Sequence, residues 1–273
     1  MKQLKTIEGI HRQFDGTGMK PLLVTCDDLQ DWVCKYHRFP STLLKEYIGS
    51  AFAKYWGIKT PDTSFIQVLE EHIDLNQYQS LQLNWFRHDC FGSLFLNHAD
   101  LITNATLPLF KNNSFRAKIK NKTDFLWIAL FDIWTANEDR NHNNYNLLLN
   151  SDQNSSYFFY TIDHETLFNS SLLERELTEI TEEETIINTD IALILFRSKN
   201  KTKQIVEVLI QNFYLCTRQC EEELHTIIPF IPVSWNIDTV QFVNRMKQHL
   251  FSDEWKKKCE LIFRTYVQTF LIN

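Results

Sequence analysis

The sequence has few glycines and no long apolar run, and so lacks two features that mark glycine-loop nucleotide-binding proteins and membrane proteins. It holds 6 glycines in 273 residues. The one place where two of them stand close together, residues 15–20, lacks the third glycine of a G-x-G-x-x-G loop and is not a Walker A motif. The longest apolar run, residues 125–131, is far shorter than the roughly 20 residues that cross a bilayer. We therefore expect a buried helix at 125–131 and no membrane partner.

Cysteine pairs with metal-ligand spacing are also missing. The 6 cysteines lie far apart, and no C-x-x-C pair is followed by a second pair at zinc-ligand spacing. Cys216 and Cys220 stand one helical turn apart, which is more typical of a packed helix face than of a metal site. The first eight residues lack the apolar core of a signal peptide, so we expect reduced thiols and a cytoplasmic protein.

The basic residues are not concentrated in any one part of the sequence. The formal net charge is a mild -6, and lysine and arginine are scattered rather than grouped in stripes. This distribution argues against direct nucleic-acid binding. Any recognition of phosphate must then depend on a local site. The apolar and aromatic content is ample for a sizeable core.

The pattern of apolar residues predicts a β-rich first part. Residues 22–26 and 32–36 resemble a hairpin, and a helix is expected from Ser41, as its N-cap, to Gly57. Strands are predicted at 64–69 and 91–96.

The second part is expected to be helical, with one inserted hairpin. A helix at 123–136 precedes strands at 146–149 and 157–162, and residues beyond 172 are predicted to be mostly helical, with a closing amphipathic helix at 253–271. The order of these elements predicts an α+β, two-lobed, protein-kinase-like fold. Its small β-rich N-lobe would span residues 1–97, and its larger helical C-lobe residues 98–273.

Three residues of the second part have the spacing of a phosphoryl-transfer site. Asp139 lies in a loop between the buried helix and the hairpin and is the candidate catalytic base. Asn144, five positions later, and Asp163, at the end of the hairpin, are candidate Mg²⁺ ligands. Asp before Asn is often only a turn signal, but the second Asp at the far end of a hairpin favours the catalytic interpretation.

Partners for this set are predicted upstream. Lys35, on a strand among apolar neighbours, would reach the α- and β-phosphates of ATP, and Glu46 on the next helix would hold it in place. Gly16, Thr17 and Gly18 would form a turn that cradles phosphate, although two glycines are a weak signal. The alternative for Lys35 and Glu46 is that both are ordinary solvent-facing charges.

A metallohydrolase site is the competing chemistry. His142 and His164 lie near the candidate carboxylates, and histidine with aspartate is a common zinc ligand set. We rank this hypothesis lower, because it gives no role to Lys35, Glu46 or the spacing of Asn144.

The motifs together resemble the HipA-like kinase families, relatives of the bacterial HipA toxin kinases that share ancestry with phosphatidylinositol kinases. The resemblance covers roughly the first two thirds of the chain, and its motifs occur in the family's order. They are KPLLVTCDD before VCK at residues 20–35, LKEY at 44–47, FGS at 91–93, FDIWTANEDR at 131–140 and IDH at 162–164. It implies that Asp139 is the base, Asn144 and Asp163 the Mg²⁺ ligands, and Lys35 the phosphate-binding lysine. Glu165 departs from the pattern, because relatives often have glycine there.

The expected function is an ATP- and Mg²⁺-dependent kinase for serine or threonine of a protein substrate. Two alternatives stay open: a pseudokinase that binds a partner, and a kinase for a small molecule or lipid headgroup. The resemblance also implies a toxin–antitoxin context. Any antitoxin or repressor partner would be a separate chain, because no DNA-binding module is recognised in the sequence.

Overall fold

The computed structural model describes residues 2–15 and 20–273. Gly16, Thr17 and Gly18, the expected phosphate-binding turn, lie outside the described residues. The predicted α+β composition is confirmed: strands dominate the first part of the chain and helices the second. The strands form one six-stranded and one three-stranded sheet within the described chain.

The six-stranded sheet is built by the first part, in the order β1-β5-β6-β4-β3-β2. The predicted hairpin is confirmed, with Leu22 opposite Cys34 and Thr25 opposite Asp31. Period-two alternation buries Leu22, Val24, Trp32 and Cys34 on the outer face of the sheet, which leaves the opposite face for Lys35. Its strands are β1 (Gln3–Lys5), β2 (Arg12–Gln13), β3 (Leu22–Thr25), β4 (Asp31–Lys35), β5 (Thr63–Gln67) and β6 (Cys90–Leu94).

Helix α1 (Pro40–Tyr55) connects the sheet to the rest of the molecule. The predicted N-cap at Ser41 is wrong. Pro40 occupies the first turn and Phe39 is the N-cap residue, because proline fits the first helical position, where its missing N–H costs nothing. The helix ends as expected before Gly57, which has a left-handed φ of 67°.

The second part surrounds the three-stranded sheet with helices. The predicted hairpin at 146–162 is confirmed as β8 (Leu147–Ser151) and β9 (Tyr157–Thr161), and β7 (Ala99–Leu101) pairs with β8. The helices are α2 (Leu107–Lys111), α3 (Asn113–Lys118), α4 (Asp124–Thr135), α5 (Asp190–Leu195), α6 (Lys199–Glu222), α7 (Leu224–Ile227), α8 (Thr239–Arg245) and α9 (Asp253–Val267).

Helix α4 lies at the centre of the core. Residues 125–135 are all buried, as the apolar run predicts. The Trp127 indole N–H donates to the carbonyl oxygen of Trp56 at 2.7 Å, and the indole of Trp134 stacks on Trp56 with ring centroids 5.2 Å apart. These contacts join the end of α1 to α4, and all three tryptophans lie in the hydrophobic core.

One stretch of the second part differs from expectation. Residues 172–189, which include a glutamate-rich stretch at 174–184, form turns and bends instead of helix. Within the described chain, no helix combines the length and the apolarity needed to cross a membrane.

Gly49 allows an unusually close contact in the middle of α1. A Cβ atom at this position would lie 2.5 Å from His164 Cβ and 2.8 Å from a methyl carbon of Leu167. Glycine in a helix interior costs roughly 1 kcal/mol relative to alanine. Here its lack of a side chain lets α1 approach the segment that follows β9.

We predict that Gly49→Ala destabilises the fold by about 1–3 kcal/mol. The added methyl group clashes with His164, and the free-energy cost of this overpacking exceeds the gain from the higher helix propensity of alanine. Urea unfolding followed by circular dichroism measures the change. Gly9→Ala is the matched control, since its Cβ would meet no described atom closer than 3.9 Å. Equal stability of the two variants would contradict the packing argument.

Candidate active site

A buried cluster of charged groups joins the sheet, α1 and the end of β9. The Lys35 ammonium donates to Glu46 Oε1 at 2.5 Å and to Asp163 Oδ1 at 2.9 Å. Only 9% of the Lys35 side chain and 2% of the Glu46 side chain are exposed, against 33% for Asp163. Lys35 and Glu46 are therefore not solvent-facing charges, and Asp163 is the member of the cluster that solvent reaches.

The charges of the cluster stabilise one another. Burial alone would raise the pKa of Asp163, but the adjacent Lys35 ammonium outweighs burial and lowers that pKa to about 2. Burial also lowers the pKa of Lys35, and the Asp163 and Glu46 carboxylates more than reverse this, so the net shift is upward. Burial raises the pKa of Glu46, which Lys35 opposes. Asp163 and Lys35 are consequently charged at neutral pH.

The backbone after β9 is fixed by the same cluster. Asp163 has a left-handed φ of 61°, a conformation that aspartate tolerates better than most residues. The next residue, His164, donates its backbone N–H to Glu46 Oε2 at 3.1 Å. Both oxygens of Glu46 thus accept hydrogen bonds, one from Lys35 of the sheet and one from the segment that carries Asp163.

The loop after α4 holds the second group of predicted residues. Asp139 Oδ2 accepts from the side-chain amides of Asn144 at 2.8 Å and Asn146 at 3.3 Å. Asn141 instead accepts from the backbone N–H of Asn143 and Asn144 and forms the turn of this loop. Burial, and then the charge of Asp163, raises the pKa of Asp139. The structure thus brings Asp139 and Asn144 into direct contact.

A buried ion pair supports this loop and was missed by the sequence reasoning. Arg140, fully buried, donates to Asp132 Oδ1 of α4 and, at 2.9 Å, to the carbonyl oxygen of Ile162. Asn137 donates to the same Asp132 oxygen at 2.8 Å. The network ties α4 to the residue before Asp163. Its only signal in the sequence is a carboxylate that ends an otherwise apolar run.

Glu165 adds a further carboxylate beside the cluster. One oxygen each of Glu46, Asp163 and Glu165 lies within 4.8 Å of the others. Lys45, buried on α1, has a pKa lowered by burial and partly restored by the charge of Glu165. The side chain that departs from the family pattern therefore points toward Asp163.

The two histidines do not assemble a metal site with these carboxylates. In the described part of the chain, the clustering of potential ligands brings together glutamate and aspartate without histidine. The His164 ring is buried and has no hydrogen-bond partner there. Burial and the nearby Arg140 charge lower its pKa well below the usual value. It acts as a packing residue against Gly49 and Phe131, which weakens the metallohydrolase hypothesis.

A known structure shares this fold. The crystal structure of the Helicobacter pylori proinflammatory kinase CtkA is 13% identical, with a TM-score of 0.53 over 96% of this chain and 99% of that one. Weaker similarity is found to Shewanella oneidensis HipA, in a complex with HipB and operator DNA (14% identity, TM-score 0.43, 94% and 68% covered). Rio2 kinase from Chaetomium thermophilum, with ADP, Mg²⁺ and phosphoaspartate, is weaker still (12%, 0.37, 97% and 72%).

Sequence comparison identifies the family. No curated protein gives a significant match to this chain. A sequence profile described as HipA-like kinase matches residues 7–266, which include both charged networks. The kinase-like α+β fold expected from the sequence is confirmed, and because the profile covers nearly all of the chain, the protein belongs to the HipA-like kinase family.

Proposed function

We propose that this protein is an ATP- and Mg²⁺-dependent kinase that phosphorylates a serine or threonine of another protein. The observation that supports this best is the buried contact of Lys35 with both Glu46 and Asp163. It orders a lysine, a helix glutamate and a metal-binding carboxylate as phosphoryl transfer requires. Residues 1–97 and 98–273 would be the two lobes, since β6 ends at Leu94 and β7 already pairs with β8.

The donor set fits Mg²⁺. Asp163 uses one carboxylate oxygen for Lys35, and Asn144 uses its amide nitrogen for Asp139. The remaining oxygens of Asp163 and Asn144 are of the kind that Mg²⁺ prefers, and the described residues that cluster there as potential ligands include no sulfur or imidazole. When bound, Mg²⁺ supplies charge neutralisation between the phosphates.

The chain's own residues would divide the remaining tasks. Lys35, held in one orientation by Glu46, presents its third N–H to the α- and β-phosphates. Asp139 accepts the hydrogen bond of the substrate hydroxyl and orients its oxygen toward the γ-phosphorus. The Asn144 and Asn146 amides keep the Asp139 carboxylate in one rotamer, so the base is positioned before the substrate arrives.

A pseudokinase is the second candidate, favoured by Glu165. The Glu165 carboxylate lies close to Asp163 and Glu46. It therefore adds negative charge next to the position proposed for the phosphates, where it would oppose their binding. A kinase for a small molecule or lipid headgroup stays open too, because the same base and metal ligands serve any alcohol. An acceptor screen with radiolabelled ATP separates that alternative from a protein kinase. A separate antitoxin chain stays a prediction from the family resemblance.

Asp139→Asn is predicted to lower the rate of phosphate transfer by about 10²–10⁴-fold, the usual contribution of a general base. ATP binding should remain, because Lys35, Asn144 and Asp163 are unchanged. Radiolabelled ATP assays and calorimetric titration measure the two properties. Asp100→Asn, an exposed change on β7, is the control and should be neutral. Full activity of Asp139→Asn would refute its role.

ATP should raise the melting temperature more with Mg²⁺ than without, because a ligand that binds only the native state stabilises it. In Asp163→Asn this metal-dependent increment should disappear, while any metal-independent shift with ATP remains. Thermal-shift titration measures both, with the unliganded variant as the reference for its own stability. An ATP shift in the wild type that Mg²⁺ leaves unchanged would support the pseudokinase instead.

Arg140→Met should destabilise the fold by about 3–5 kcal/mol, because it leaves the Asp132 carboxylate buried without its partner. The double variant Asp132→Leu/Arg140→Met should recover part of that stability, since no charge is left buried, while the Asn137 amide loses its acceptor. It should not recover phosphate transfer, because the bond from Arg140 to Ile162 next to Asp163 is still missing. Urea unfolding and kinase assays test the pair. Recovery of both properties would show that the network does not position the site.

A further inference from the structure

A groove on the outer face of the N-terminal sheet is separate from the site described above. Its volume is about 470 Å³, within the range of small-molecule sites. Tyr36, which lines it, is buried among the outer core residues, on the face of the sheet opposite to Lys35. None of Lys35, Asp139, Asn144 and Asp163 lines this groove.

The charged side chains of the groove have one sign. Lys20 and Arg38 line it, and no carboxylate does in the part of the chain that the structure describes. Neither Lys20 nor Arg38 forms an ion pair with a described residue, and both are exposed. In a chain with a net charge of -6, a groove in which the charged side chains among the described residues are both cations is complementary to an anion.

Aromatic rings form another part of the lining. Trp85 stacks on Tyr36, with ring centroids 5.7 Å apart and an interplanar angle of 19°. The buried Tyr36 ring thus supports the Trp85 ring in the groove. Phe39 is 58% exposed, with the Arg38 guanidinium 5.3 Å from its ring centroid. A planar group can contact these rings while an attached anion reaches the cations.

The start of α1 lies at the same groove. Phe39, its N-cap residue, makes no side-chain capping bond, and the first turn holds no acidic residue. The N-terminus of this 16-residue helix therefore adds its partial positive charge to that of Arg38 and Lys20.

We propose that this groove binds a small phosphate monoester that carries a planar ring, with the phosphate at Arg38 and Lys20 and the ring against Trp85 and Phe39. Its lining combines rings with two cations that have no ion-pair partner among the described residues. Binding at this groove does not depend on the proposed kinase activity. The ligand would contact the residues that lead into α1, the helix that carries Glu46.

Isothermal titration calorimetry with phenyl phosphate tests the proposal, with inorganic phosphate and phenol as the partial probes. Phenyl phosphate should bind more tightly than phosphate by several-fold, since aromatic contacts add to the charge interaction, and phenol should not bind measurably. Absence of phenyl phosphate binding, or equal affinity for inorganic phosphate, would overturn the proposal.

Two exposed substitutions locate the binding. Arg38→Gln and Lys20→Gln should each weaken phenyl phosphate binding about tenfold or more, the usual effect of losing a hydrogen bond to a charged group. Arg218→Gln, an exposed arginine of α6 outside the groove, is the matched control and should bind as the wild type does. Binding that is unchanged in Arg38→Gln and Lys20→Gln would place the ligand elsewhere and refute the site.

Discussion

The contact of Lys35 with Glu46 and Asp163 constrains more of this molecule than any other interaction. A buried ammonium is tolerated only beside carboxylates that are themselves satisfied. Here the ammonium comes from β4, and the two carboxylates come from α1 and from the segment after β9. The three elements therefore cannot move independently. Gly49 is needed for the same contact. Glu46 on α1 can accept from the His164 backbone N–H only because position 49 has no side chain to hold the helix away from the segment around His164.

The Asp132–Arg140 network imposes a matching constraint from the other side. Arg140 reaches the carbonyl oxygen of Ile162, and Lys35 reaches the carboxylate of the next residue, Asp163. Two buried charged groups from different parts of the chain thus fix consecutive residues after β9. The left-handed conformation of Asp163 is then held from both sides, as expected where a fold maintains an uncommon backbone conformation.

The sequence predicted the elements that have a strong local pattern. Alternation marked the hairpins, and helical periodicity marked α1 and α4. It did not reveal β1, three residues long and paired in parallel with the distant β5, because so short a strand has no period to read. Asp132 was missed for a related reason: its partner Arg140 lies eight positions away across a turn at Ala136, and no spacing rule relates the two. The contact of Lys35 with Glu46 could be predicted because their order relative to Asp139 is itself a pattern.

Glu165 stood out in the sequence only as a departure from the family motif. Its position beside Asp163 became visible only in the structure.

The charges around Asp163 also explain why a cation would be needed there. Carboxylates of Glu46, Asp163, Glu165 and Asp139 act on one another in this region, and the ammonium groups that balance them belong to Lys35 and Lys45. Lys35 is already shared between two carboxylates, and Lys45 is buried. A triphosphate that approached this excess of negative charge would be repelled unless a divalent cation came with it. Glu165 adds to this negative charge compared with a glycine at the same position, so the proposed nucleotide binding would depend more strongly on the cation with glutamate there than with glycine.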